Sequence, residues 1–578
     1  MKCELSYLQR SCLLQFKIYL VIGRQVMNLL ETQEISGNAE PRKLRIAMIS
    51  PRFEPSYYGF DYSLPLLPGA KKSRMLVGAV TVLAALTPEP HDFVLFDEQI
   101  EQIDPEVLRD FDVIAITGMI VQRQRMFDWL DRVADFPAIK VVGGPYVTVN
   151  EAPFHDRADA IFIGEAEGTW PQFLDDYAHG RPTLKRYEMD EKPDVRDVPT
   201  PRFDLVPADA YVTAPVQFSR GCPFLCEFCD IIVIFGRRPR TKAPSQVLAE
   251  IDAAFAAGYG SVMLVDDNFI GDKKAARALL LDLIDWQKAR GYPMRVAVEA
   301  TIDLADQPEL LDLMFQANIS NVFIGIESPN EESLKEIRKV QNVRGDSLSD
   351  KLLRIRQAGI IVDMGMIVGF DNDDPGIFDR QYDFTTANGI AATVVSILSA
   401  IPGTPLFKRL SDEGRIRTGD AAVNFEPRNM TPDALKLGHS ALMERLYTPD
   451  AYFGRVRTDI VRADGANRRK AAMLASQGVT PSAPREWIGA AIMASRLARA
   501  MAREGELKAM TREYLRQYRI QKAELGRDAI SAPRFVTACL YHWHFHRYTR
   551  DIAAGAYAER ATYGFALEVP DKQKVPAE

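Results

Sequence analysis

Cysteine is scarce in this sequence, with six residues in 578. That rules out a disulfide framework and suits a reducing cytosol. Surplus positive charge is also missing. The formal net charge is -7 with acidic and basic residues interspersed, so no cationic field favours phosphate neutralisation, and nucleic acid is not expected as a partner. Long apolar runs are absent as well: the segment 12–23 (CLLQFKIYLVIG) is interrupted by Lys17 and is too short to span a bilayer. No small-residue cleavage site follows it cleanly, so a secretory signal is not expected. Residues 1–43 read as a disordered extension, with Met27 a second candidate start. The expected location is the cytoplasm, with membrane contact peripheral at most.

A chain of this length with 47% apolar residues exceeds one ordinary core and should divide into several domains. From Leu44, the runs LRIAMIS, FVLFDE, DVIAITG, IKVVGG and AIFIGEAE alternate with helical stretches such as 74–86. This rhythm predicts an α/β layer with a parallel sheet over 44–185. A second series, VQFSRG, SVMLVDD, RVAVEAT, NVFIGIE, VDMGMIVGF and TVVSILSAI, predicts a partial (β/α)6 barrel over 186–420, with its chemistry at the carboxyl ends of the strands. From 421 to 578 strand signals fade, and 487–505, 507–525 and 535–553 read as helices.

Half of the six cysteines fall within eight residues. SRGCPFLCEFCDI at 219–231 spaces Cys222, Cys226 and Cys229 as C-x3-C-x2-C. Three thiolates on one tight loop suit three irons of a cubane cluster and leave the fourth iron without a protein ligand. S-adenosylmethionine (SAM) could chelate that iron, and one electron would then cleave its sulfonium to a 5'-deoxyadenosyl radical. Zinc is the structural alternative. It needs a fourth Cys or His at short spacing, and the next histidine is His439.

The C-x3-C-x-aromatic-C loop, with Phe228 as its aromatic, resembles the signature of the radical SAM superfamily. The resemblance implies a 4Fe-4S cluster on the three cysteines, with Phe228 beside the SAM adenine. GIES at 325–328 and GMIVGF at 365–370 look like the strand ends that approach SAM in this family, which makes Gly325, Gly365 and Gly369 candidates. Plain turn or packing glycines remain the alternative. Glu299 and Glu327 end barrel strands on the catalytic face, where a carboxylate would take the SAM ribose or amino group or would be a solvated strand end. IPGTPLF at 401–407 resembles the final segment of radical SAM proteins that carry a cobalamin domain.

No G-x-G-x-x-G follows the first strand, which disfavours a nicotinamide or flavin dinucleotide. VVGGPYVT at 141–148 and IGEAEGTW at 163–170 instead resemble the loops of cobalamin-binding domains fused to radical SAM barrels. The resemblance implicates Gly143, Gly144, Gly164 and Glu165. Where those domains often carry D-x-H-x-x-G, this chain reads SPRFEPSYYGFD at 50–61, without histidine. Cobalamin is therefore expected base-off with no protein histidine ligand. Residues 44–180 contain no cysteine, so a second cluster is not expected.

In the tail, Arg496, Arg499 and Arg503, then Arg512, Arg516 and Arg519, suit either anionic lipid or plain solvated faces. His542, His544 and His546 invite a metal reading that packing explains more cheaply. As a whole the chain resembles cobalamin-dependent radical SAM methyltransferases, and its long arginine-rich tail and the 50–69 loop resemble the bacterial group that includes hopanoid C-2 methylases. This implies methylation of an unactivated carbon of a small-molecule or lipid substrate, with flavodoxin or ferredoxin as electron donor. The rivals are a cyclisation or rearrangement with the same cofactors, and a corrinoid or cluster sensor without turnover.

Overall fold

The computed structural model describes residues 41–417, 423–479 and 483–554. Apart from its last three residues, the expected extension 1–43 lies outside them. The first sheet contains β1 (Arg45–Ser50), β2 (Asp92–Asp97), β3 (Val113–Thr117), β4 (Ile139–Gly143), β5 (Ala160–Ile163) and β6 (Arg186–Glu188). They run parallel in the order β2-β1-β3-β4-β5-β6. In β1, Ile46 and Met48 feed one hydrophobic core, while Ala47 and Ile49 feed another on the opposite face. A central parallel strand covered on both faces requires this two-sided apolarity. The order reverses between β1 and β3, which opens a crevice at the carboxyl ends of the strands. β6 corrects the boundary expected at 185, because Arg186–Glu188 pairs with β5 and extends the first sheet.

The second sheet contains β7 (Ala214–Val216), β10 (Ser261–Leu264), β11 (Arg295–Ala300), β12 (Ile319–Glu327), β13 (Ile361–Val368) and β14 (Thr393–Ile397), in that spatial order and all parallel. Between β7 and β10 a short antiparallel ribbon joins β8 (Ser219–Arg220) to β9 (Arg240–Thr241). The run VQFSRG is therefore not one strand. β7 begins earlier and stops at Val216, because the Asp266 carboxylate accepts the backbone N–H groups of Phe218 and Ser219 and diverts the chain. Along β11, β12 and β13, buried residues such as Val298, Ile324 and Met364 pack outward, and alternate with half-buried Glu299, Phe323 and Asp363. The half-buried set faces the barrel interior and keeps part of its surface accessible.

The tail is helical over Pro432–Leu446, Pro449–Arg462, Ala466–Ser476, Ala483–Arg503, Leu507–Leu525 and Ala532–Ala553. Thr431 and Thr448 each cap a helix whose first residue is proline, a pairing that satisfies exposed N–H groups at a fixed φ. The three tail histidines are packing residues. His542 bonds Tyr514 and the Tyr447 carbonyl, His544 bonds the Tyr57 carbonyl, and His546 bonds Glu506. Burial pushes His542 down to about 3 and His544 down to about 4, which keeps both rings neutral.

The segment after β1 leaves its own domain. Tyr57 packs edge-on to Tyr548 at 4.4 Å, Tyr58 meets Phe323 of β12 at 5.5 Å, and Phe60 lies 5.1 Å from Tyr541. Arg74, expected at a helix start, turns into this layer instead, and the helix begins at Gly78.

Candidate active site

The cluster loop is built by the ends of β7 and β10. Asp266 holds the backbone of Phe218 and Ser219, and Asp267 accepts the Gly221 N–H at 2.6 Å. Gly221 has φ +93°, and a Cβ there would meet the Gly236 and Arg238 carbonyls at 2.9 Å, so only glycine lets the chain enter the loop. Inside it the Cys229 N–H donates to the Cys226 carbonyl, and the Glu227 N–H donates to Ile337. The Glu227 carboxylate accepts from Arg409 at 2.7 Å, which bolts the loop to the helix after β14. Cys222 and Cys229 have raised pKa values because they are desolvated.

Among the described residues, no group of three or more His, Cys, Asp and Glu is arranged to hold a single metal ion.

Above the loop, Glu327 ends β12 with φ +64° and forms a buried ion pair with Lys339. Gly325 makes room for that pair, since a Cβ would fall 2.3 Å from the Glu327 carboxylate and 2.8 Å from Lys339 Nζ. Burial opposes the Lys339 charge, but Glu327 and the nearby thiols outweigh it and raise its pKa. Lys339 Nζ also lies 5.9 Å from the half-buried Phe228 ring, which faces Phe370 at 6.5 Å. Gly369 has φ +108° and packs against Leu435 and Phe425, so a turn and close packing account for it.

Glu299, Phe323 and Asp363 form one row across β11, β12 and β13. Gly325 and Gly365 form the row beside it toward the carboxyl ends of the strands. Without a Cβ, Gly365 clears the Phe323 ring, which would otherwise be 2.9 Å away. Tyr58 and Arg74 cover the opposite end, with the guanidinium 3.8 Å from the Tyr58 ring centre and bonded to its hydroxyl at 3.1 Å. Burial pushes Glu299 up to about 7 and Asp363 up to about 6, with Arg74 opposing both. Burial likewise pushes Asp266 up to about 8 and Asp267 up to about 6. Glu299 and Glu327 are therefore not solvated strand ends. Both are enclosed, one in the lumen wall and the other in an ion pair.

The second space is a cavity of about 490 Å³ between the helix Gly78–Leu86, the carboxyl ends of the first sheet and the barrel mouth. Gly143, Gly144, Gly164 and Glu165 line it from one side, while Arg220, Asp230, Ile231 and Asp267 line it from the other. Gly144 has φ +100° and touches Thr117 and Gly118 so closely that a Cβ would lie 2.7 Å from the threonine hydroxyl. The Glu165 carboxylate is engaged by Arg220 and Arg240, both at 2.6 Å, so it ties the first domain to the cluster loop and is not free for a ligand. No histidine is among the lining residues.

The candidates thus form two groups that meet at the cluster loop. Asp266, Asp267, Lys339 and Arg409 lie outside the set expected from the sequence. The acid pair was visible in SVMLVDD at a strand end, whereas the other two are brought in by long-range packing.

Residues 216–379 match the Radical SAM superfamily, and residues 404–558 match a domain of unknown function (DUF4070). An uncharacterized methyltransferase of Synechocystis sp. (strain ATCC 27184 / PCC 6803 / Kazusa) is 39% identical over 421 residues, covering 71% of this chain and 78% of the relative. The hopanoid C-2 methylase of Rhodopseudomonas palustris (strain TIE-1) is 33% identical over 424 residues, covering 72% and 80%. The cobalamin-dependent S-adenosylmethionine radical enzyme OxsB, solved with aqua-cobalamin and SAM bound, superposes with a TM-score of 0.56 at 14% identity over 90% of this chain and 82% of that one. This likeness establishes the shared fold.

Proposed function

The chain belongs to the radical SAM methyltransferases, and from that premise we propose that it methylates an unactivated carbon of a lipid, hopanoids first among the candidates, with cobalamin as the methyl carrier. One observation carries the proposal: the cavity at the carboxyl ends of the first sheet opens onto the cluster loop, so Gly143 and Gly144 share one space with Arg220, Asp230 and Asp267. When bound, the cluster with SAM supplies a carbon-centred radical, and the corrinoid supplies a methyl group.

Cys222, Cys226 and Cys229 would hold three irons. Phe228 and the Glu327–Lys339 pair would flank SAM, with Gly325 leaving room for that pair. The slot lined by Ala79, Val82, Val141 and Phe162 is apolar and suits the buried tail of a corrinoid. The corrinoid is proposed to be held base-off, without a protein imidazole. Glu299, Phe323 and Asp363 would face the substrate from the lumen wall.

Two surfaces fit the expected partners. The cluster loop exposes Leu225 beside Arg237, where an electron carrier such as flavodoxin or ferredoxin would approach. The helix Ala483–Arg503 exposes Trp487, Ile488 and Ile492, with exposed Arg485 and Arg499 alongside. That combination suits the surface of an anionic bilayer. Arg496 and Arg516 are engaged within the protein, by the Leu67 carbonyl and by Glu513 and Asp450 respectively.

The test is anaerobic turnover of the reconstituted full chain with methyl-labelled SAM and a lipid extract. Label should enter a lipid, with 5'-deoxyadenosine and S-adenosylhomocysteine formed in about equal amounts, because radical generation and corrinoid remethylation each use one SAM. Deoxyadenosine with an unmethylated product would indicate cyclisation. No SAM cleavage at all would indicate a sensor.

A further inference from the structure

Gln341 is 3% exposed, and its Nε2 lies 3.8 Å from Cys226 Sγ. The other half of the same amide has no partner, since Oε1 is buried without a hydrogen bond. A half-satisfied buried amide is costly relative to an apolar residue of the same shape, so it calls for a use in the molecule. The backbone around it is fixed from several sides. The neighbouring Asn342 side chain donates to the carbonyls of Gly325 and Ile326 at 3.2 and 2.9 Å. The fully buried Lys351 donates to the Gln341 carbonyl at 3.4 Å, and the Glu227 N–H ties the cysteine loop to Ile337 of the same segment. The amide is thus held in place next to one thiol of the three.

Resting on the radical SAM assignment above, we infer that Gln341 is a positioning residue that sets the reduction potential of the cluster through an N–H···S hydrogen bond to Cys226. A thiolate sulfur that accepts a hydrogen bond donates less charge to its iron, so the reduced cluster, which carries the extra electron, is favoured. Lys339 acts in the same sense, because its buried ammonium lies close enough to interact with Cys226 and Cys229. Glu327 pins that ammonium, while Gln341 supplies the directional contact.

The test is a redox titration of the full chain, reconstituted anaerobically with iron and sulfide and followed by electron paramagnetic resonance, with and without SAM. Gln341→Leu should keep the wild-type iron content but show about tenfold less reduced cluster at a fixed potential, a midpoint lowered by about 59 mV for a one-electron couple. Gln341→Glu, which keeps the shape but replaces the N–H with an acceptor, should lie lower still. Gln341→His, which can again donate, should recover part of the shift. A Leu variant with full iron content and a wild-type midpoint would overturn the inference. So would loss of iron in all three variants, because a residue that only tunes the cluster is dispensable for its assembly. Failure of the wild-type chain to bind iron would instead count against the radical SAM assignment itself.

Discussion

The first-domain cavity and the barrel lumen are walled in opposite ways. The cavity of the first domain is bounded by Gly143, Gly144, Ala79, Val82 and Val141, so it offers room, backbone and apolar surface. The barrel lumen is bounded by Glu299, Phe323, Asp363 and Arg74, so it offers directional polar groups around an aromatic floor. A cofactor that carries its own chemistry needs only to be admitted and held. A substrate must be oriented, and polar groups at fixed places in an otherwise apolar wall supply that orientation.

The comparison fails altogether without the junction of the two spaces. Cys226→Ala should reduce SAM cleavage to background and remove most of the iron, while Cys539→Ser, in a helix remote from the loop, should leave both unchanged; anaerobic iron and deoxyadenosine assays decide it. Filling one space at a time separates their roles. Ala79→Phe should weaken cobalamin binding about a hundredfold or more, roughly 3 kcal/mol, yet leave SAM cleavage intact. Gly365→Val, which drives a side chain into Phe323, should stop substrate methylation and leave cobalamin retention on a desalting column unchanged.

The acidity of the lumen provides a milder test. Glu299 titrates at about 7 in the folded chain, above its ordinary 4.5, so the native state holds this proton more tightly than the unfolded one. Its contribution is complete below about 4.5 and is lost as pH rises from there toward 7. Relative to wild type, Glu299→Gln should therefore gain roughly 2 kcal/mol between pH 5 and 8, read as a rising difference in Tm. A constant difference across that range would contradict the enclosed carboxyl. The smallest expected signal comes from the surface. Trp487 is 59% exposed while Trp129, Trp170, Trp286 and Trp543 are buried, so a blue shift of emission with phosphatidylglycerol vesicles would report on this residue. Trp487→Phe should abolish the shift without affecting the cluster.

Much of this architecture was legible in local patterns. The five first-domain runs and five of the six barrel runs correspond to β1–β5 and β10–β14, because β-branched runs bounded by turn residues report burial directly, whereas VQFSRG shares only Val216 with β7. The cysteine spacing was legible because all three residues lie on one loop. What was not legible depends on partners far along the chain. Nothing near Val216 signals that Asp266 will end the strand, and nothing in Glu165 shows that Arg220 and Arg240 will claim it. Gln341 reads as an ordinary helical glutamine until the fold sets it beside a thiol 115 positions earlier.

The path of the segment after β1 bears on how this protein could be taken apart. Tyr58 belongs to the first domain by sequence, to the barrel by its contact with Phe323, and to the tail by its neighbours Tyr57 and Phe60, which pack against Tyr548 and Tyr541. Arg496 fastens the same segment at Leu67. The three units are therefore not interchangeable modules. A chimera that grafts a foreign corrinoid domain onto this barrel would import a different lumen floor, and a truncation before the last helix would unseat that floor. Substrate preference should consequently travel with residues 50–77 and the final helix as one linked set, so engineering that exchanges either alone would inherit the specificity of neither parent.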